Sequence, residues 1–311
     1  MPALITHHIF GEDAAALLPD SIIGNEEELM AFLLGNQGPD PMFTRFSLLT
    51  VGTGLHVHQL ANDMHAKHVT RAFLAMRTAV ERLPECDCRI GRAFALGFVG
   101  HYALDRTAHP FIYAEQYDLI AADPSLKEAE YELHSVIETD IDSWILWEKR
   151  HATVAERPAA SNLQRTKRID RVAGLIISQT ARDVFGIPID PEQYGHAVAD
   201  YEWIYHAIEP AGCNRLYAIA FIERIFRKYS FAEAAAHYIT TSDECPAANL
   251  DRHPWKDPAT GVIYTDSFAD RYEQASLYYP KIAEAFVRGD AVSLYELVDG
   301  VNYNGQLFKD D

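Results

Sequence analysis

The chain has 311 residues, 48% of them hydrophobic and 23% charged, the balance of a folded globular protein, which excludes disordered and fibrous classes. Its formal charge of −18 repels phosphate backbones and anionic lipid surfaces, so an extended nucleic-acid surface is not expected and any anionic substrate needs locally bound cations. Four cysteines without CxxC spacing, an N-terminus with no basic start leading into an unbroken apolar run, and no window as long as a membrane span predict a reducing, cytoplasmic setting.

Helical periodicity dominates, and the spacing of apolar residues predicts helices over 11–18, 26–34, 54–83, 89–109, 126–150, 162–185, 191–208, 213–227, 230–239 and 267–288. An all-α fold follows, and with no internal repeat or compositional break it reads as one domain, 1–311. Ahead of the first predicted helix, ITHHIF places His7 and His8 side by side. In GNQGPDPMF, Asp40 stands between Pro39 and Pro41 in a rigid turn, where it can present a carboxylate or serve as a helix cap. VGTGLHVHQL then sets His56 and His58 two apart at a helix start.

The segment GHYALDRTAHPF carries His101, Asp105 and His109, each four positions after the last, so a helix puts them on one ridge. That ridge continues the apolar face of Phe94, Gly97 and Phe98 and should point inward, where bare polar groups are costly. Pro110 biases His109 out of the α region, which predicts that the helix ends there. In YELHSVIETDID, His134 and Glu138 form a second ridge in register with Tyr131, Ile141 and Ile145. Five His-xxx-Asp/Glu pairs occur in the chain against roughly two expected from composition, so a lone pair says little. Two inward ridges are different: they must satisfy each other, join a hydrogen-bond network, or hold metal. Farther on, the loop CPAANLDRHPWKDPATG at 245–261 reads as a packing or lid element around Trp255, and the end FKDD as solvated.

Taken together, MPALITHHIF, FLLGNQGPD, GHYALDRTAHPFI and ELHSVIETDID resemble the zinc-dependent phospholipase C family, and look like its cytoplasmic bacterial branch. That family shares a trinuclear zinc fold with the fungal single-strand nucleases. The resemblance covers about the first half of the chain, with NLDRHPW a weaker echo. It implies a multi-helix bundle around three Zn2+ ions. Carried over by position, Asp40, His56, His101 and Asp105 would hold one zinc, and His109, His134 and Glu138 a second. His7 with Asp105 would hold a third, joined by the amine and carbonyl of the mature N-terminal residue, here Pro2 once Met1 is removed. His58 and His8 are the alternatives to His56 and His7.

Such a ligand set suits zinc, and two close ions would bring a bridging water toward ionisation for in-line attack on a phosphodiester. Asp40 is then the candidate to orient or deprotonate that water. The expected activity is hydrolysis of a small phosphodiester or phospholipid head-group linkage, with tyrosine rings able to receive a choline cation. The alternatives are a nuclease of the same fold, a metal-stabilised binding module without turnover, and a helical protein whose ridges form hydrogen bonds alone. The sequence does not specify an oligomeric state.

Overall fold

In this computed structural model residues 4–19, 21–45 and 51–308 are described, and nearly all regular structure among them is helical. The first helices are α1 (Leu4–Ala15), α2 (Glu26–Gly35), α3 (Val51–Ala66), α4 (Val69–Glu81), α5 (Cys88–Ala122) and α6 (Glu130–Arg150). They are followed by α7 (Lys167–Thr180), α8 (Glu192–Ile208), α9 (Asn214–Phe226), α10 (Phe231–Ala234), α11 (Phe268–Arg288) and α12 (Ala291–Val298). Asp40–Thr44 forms a 3-10 turn between α2 and α3. The sheet content is an antiparallel pair, β1 (Trp255–Lys256) and β2 (Ile263–Tyr264), with Trp255 opposite Tyr264.

The apolar run that includes Phe94 to Val99 is buried on all sides, and this is why α5 lies at the centre with α1, α2, α6 and α11 packed against it. Where α2 crosses α5, both chains offer glycine. A Cβ on Gly35 would stand 2.1 Å from the Phe94 carbonyl oxygen, and one on Gly97 would stand 2.0 Å from that of Phe32. Only glycine allows the backbones so close, and the crossing brings the C-terminal end of α2 against the middle of α5. Capping chemistry sets several of the other ends: Asn25 accepts from Glu28 N, Thr166 from Ile169 N, and Ser267 with Asp270 forms a capping box at α11.

Three expectations are corrected. α1 begins at Leu4, so His7 and His8 lie on a helix; Asp142 of α6 accepts from the backbone N–H groups of Ile5 and Thr6 at 2.9 and 2.8 Å and caps α1 from outside its own sequence. The predicted helix over 54–83 is two helices, broken where His68 takes φ 59°. The helix through His109 does not end at Pro110 but continues to Ala122 with the proline inside it. Gly305 packs over the resulting irregularity: a Cβ there would meet Pro110 Cγ at 2.3 Å and Arg106 O at 3.1 Å, so a distant segment of the chain holds the helix through its proline. The Trp255 loop is a packing element, with the indole buried edge-on to Phe111 and donating to Asp266 O at 2.9 Å.

Candidate metal centre

The two polar ridges face each other across the contact between α5 and α6, and two further elements close the cluster. From α5 come His101, Asp105 and His109, from α6 His134 and Glu138, from α1 His7, and from the 3-10 turn Asp40. Asp40, His7, His101, Asp105, His109 and Glu138 are buried, and the His134 side chain retains 15% exposure.

The eighth member, His65 of α3, was not among the expected residues. Its Nε2 lies 3.1 Å from Asp40 Oδ1 and 3.9 Å from Asp105 Oδ2. His56, expected at this position, is exposed and belongs to none of the clusters, and this is a correction. The two are nine residues apart, two and a half helical turns, so they project from opposite sides of α3. His58 is also exposed and meets Asn62. The signal for His65 was in the sequence: Val57 and Ala61 are buried and precede it at four-residue spacing, the same ridge rule that selected His101 and Asp105. Of the two adjacent histidines on α1, His7 joins the cluster while His8 turns to Glu12 at 3.5 Å. Pro2 lies outside the described residues.

Asp105 is the centre of the arrangement. Its Oδ1 lies 3.1 Å from His7 Nε2 and 3.6 Å from His109 Nδ1, and its Oδ2 lies 3.2 Å from His101 Nε2. Glu138 Oε1 stands 3.5 Å from His109 Nε2 and 3.3 Å from His134 Nε2. Three groups emerge whose ligand atoms lie within 4.8 Å of one another: His7, His101 and Asp105; Asp40, His65 and His101; His109, His134 and Glu138. A small cavity of ≈ 20 Å³ separates Asp105 from Glu138, lined also by His7 and His109, with room for about one water-sized occupant.

The outer hydrogen bonds fix how the imidazoles are presented. His101 Nδ1 donates to Asn36 O at 3.0 Å, His109 Nδ1 to Tyr303 O at 2.9 Å, His65 Nδ1 to Ala61 O at 2.8 Å and His134 Nδ1 to Gln116 Oε1 at 2.9 Å. Carbonyl oxygens only accept, so each Nδ1 carries a proton, and a ring that holds only that proton turns an Nε2 lone pair inward. Each Nε2 faces a carboxylate oxygen, a contact that is favourable only with a proton or a metal ion between the two atoms. His7 Nδ1 is buried without a hydrogen-bond partner, and His101 Nε2, 3.2 Å from Asp105 Oδ2, makes no well-aligned hydrogen bond. A ring of inward lone pairs with outward donors is the arrangement metal-binding histidines take, and the residues present fit zinc.

Electrostatics agree. Burial raises the Asp40 carboxyl, but the charges and hydrogen bonds of His101 and His65 overcome it and hold it at about 2. Burial likewise opposes ionisation of Asp105 and Glu138, yet both lie well below the usual carboxylate range, Asp105 through His101 and His109 and Glu138 in part through His134 and His109. Burial pushes His109 down, while Asp105 and Glu138 push it up to about 9. Three ionised, buried carboxylates call for positive charge, which either protons or metal ions supply.

Residues 6–182 match the family model described as zinc dependent phospholipase C, and the match contains every residue of the cluster. The chain belongs to the zinc-dependent phospholipase C family. Membership makes it a metal-dependent phosphoesterase in general terms and names zinc as the family's metal, and three groups of histidines and carboxylates here could hold a metal ion. No curated protein and no solved structure matches the chain. The family match ends after α7, whereas parts of the site's support lie beyond it: Tyr303 accepts from His109 and donates its N–H to His65 O at 3.1 Å, tying α3 to α5.

Proposed function

We propose that the chain hydrolyses a phosphodiester of the phospholipid type at three zinc positions, with His109, His134 and Glu138 at one, Asp40, His65 and His101 at the second, and His7 and Asp105 at the third. The observation that carries this reading is the set of Nε2 atoms turned onto carboxylates by donors locked on the opposite side of each ring. Zinc, when bound, lowers the pKa of a coordinated water and polarises a phosphoryl oxygen.

The chain's own residues do the positioning. Asp105, in contact with His7, His101 and His109, ties the groups together. Asp40 stays ionised and, at the edge of its group, orients or deprotonates the attacking water. Tyr113, its ring 5.0 Å from that of His134 and stacked on Tyr117 at 6.1 Å, offers an aromatic face to a cationic head group. The packing of α11 on α5 supports a single working domain, and four free cysteines support a reducing, cytoplasmic setting. No helix among the described residues is long and apolar enough to cross a membrane.

The test compares zinc-loaded protein on a choline phosphodiester chromogen, a phosphatidylcholine emulsion and single-stranded DNA. Hydrolysis of the first two and not the third is expected. Cleavage of DNA alone would assign a nuclease, and metal binding with no hydrolysis of any would assign a binding module.

A further inference from the structure

The outward face of α9 is apolar where a surface helix is ordinarily polar. Tyr217, Phe221, Ile222, Ile225 and Phe226 are 57%, 70%, 58%, 64% and 85% exposed, and at about 100° per residue they cover half of the helix circumference. Beside them Trp203 of α8 is 68% exposed and lines, with Ile204, Ile208, Ile219 and Phe231, a cavity of ≈ 230 Å³ between α8, α9 and α10. The cavity wall is almost wholly hydrocarbon. At the C-terminal end of α9, Arg224, Arg227 and Lys228 sit against Glu233, Glu132 and Glu128, so the rim carries paired charges of both signs, with Glu223 adding a carboxylate that accepts from Ser230 Oγ and Ala232 N. The helix face and Trp203 lie beyond residue 182, outside the family match.

We propose that this face docks on a zwitterionic lipid surface, with α9 lying in the interface and the cavity behind Trp203 receiving part of an acyl chain. Tyrosine, tryptophan and phenylalanine on one helix face suit the boundary between head groups and hydrocarbon. A rim of paired cations and carboxylates matches a layer of phosphate and ammonium charges, whereas the chain's −18 opposes an anionic leaflet. The cavity separates lipid from a second copy of the chain as the occupant. A flat helix-to-helix contact would leave it unfilled, while a mainly apolar space larger than the roughly 150 Å³ that admits benzene suits a thin, flexible hydrocarbon. Arg227 and Lys228 also tie the end of α9 to Glu132 and Glu128, and Glu132 lies two residues before His134, so the surface adjoins the helix that carries the metal site. This inference deepens, and rests on, the phospholipid reading above.

The test is flotation of the zinc-loaded chain with phosphatidylcholine vesicles, alone and with part of the lipid replaced by phosphatidylglycerol. The wild type should float with the zwitterionic vesicles and gain nothing from the anionic lipid. Phe221→Glu combined with Phe226→Glu should lower the bound fraction at least about tenfold. The same variant should keep its circular dichroism and its rate on a water-soluble choline phosphodiester. If that pair misfolds, Ile225→Lys alone carries the same expectation. Wild-type protein that stays with the aqueous phase, or a folded variant that floats as well as wild type, would overturn the proposal. So would a dimer in sedimentation equilibrium that the double substitution dissolves, which would give the face to a second copy. Flotation needs no turnover, so vesicle binding without phospholipid hydrolysis would defeat the substrate assignment alone. Hydrolysis of the soluble diester without vesicle binding would defeat the docking surface alone.

Discussion

His65 Nε2 stands 3.1 Å from Asp40 Oδ1, on a ring whose other nitrogen is committed to the Ala61 carbonyl at 2.8 Å. The contact joins α3 to the turn that carries Asp40 and gives that carboxylate a second imidazole besides His101. His65→Ala should remove one zinc per chain and lower kcat/KM by more than about a hundredfold, beyond the range seen when only an outer partner of a ligand is lost. His56→Ala, on the opposite and exposed side of the same helix, should leave both quantities unchanged. Measuring the two variants side by side checks the assignment, and equal effects would refute it.

Asp105 lies within 3.9 Å of His7, His65, His101 and His109, whereas the ion contact of His7 is with Asp105. Asp105→Asn keeps the shape but removes a charge and one acceptor oxygen, so it should cost more zinc and more activity than His7→Ala. Elemental analysis and steady-state kinetics on both variants decide this; equal small losses would contradict a bridging role.

Gly97→Ala tests the crossing that places Asn36 under His101. The added methyl would stand 2.0 Å from Phe32 O and 2.9 Å from Asn36 N, so α2 must move away from α5. Overpacking of this kind costs about 1–3 kcal/mol, readable in urea unfolding. Displacing the Asn36 carbonyl also frees the His101 Nδ1 proton, and zinc affinity should fall about tenfold or more. A variant with wild-type stability and zinc affinity would show that the crossing does not set the site.

A buried ion network outside the metal cluster predicts an alkaline loss of stability. His237 bonds to Glu209 through Nδ1 and to Asp142 through Nε2 at 3.0 Å, and Asp142 in turn caps α1 at Ile5 and Thr6, the residues just before His7. Burial alone would push this imidazole down, but Asp142 and Glu209 push it up to about 9. The unfolded chain loses the same proton near 6.5. Below that pH the stabilisation is fully present; between the two values only the native state keeps the proton, and the contribution drains away as pH rises through 9. The size is roughly 3 kcal/mol. Urea unfolding of zinc-saturated protein, in which the site histidines hold no proton at Nε2, should weaken steadily from pH 6.5 to 9.5. A flat profile across that window would contradict the assignment.

The two polar ridges were legible because their signal is local: a four-residue spacing that extends an apolar face says which way a helix turns. α5 obeys it, and on α6 Ile141 and Ile145 are buried as expected, whereas Tyr131, read as part of the same inward ridge, is 81% exposed at the start of the helix. His65 obeys it as well, through Val57 and Ala61, whereas the position-by-position resemblance to the family points to His56, on the opposite side of α3. What the sequence concealed is information held far along the chain. Pro110 follows a local rule for ending helices, and Gly305 overrides it by packing on the ring and on Arg106 O. LITHHIF has no capping residue of its own, so the start of α1 could not be read; its cap is Asp142, 137 positions from Ile5. The outer acceptors Asn36, Gln116 and Tyr303 carry no motif either, since two of the three act through backbone carbonyls that any residue would provide.

The central claim is that these inward lone pairs exist to hold metal. Elemental analysis of the purified chain, loaded with zinc and dialysed, measures it directly. The arrangement predicts between two and three zinc ions per chain, from the three groups of ligand atoms around Asp105 and Glu138. Fewer than one zinc per chain after loading would contradict it.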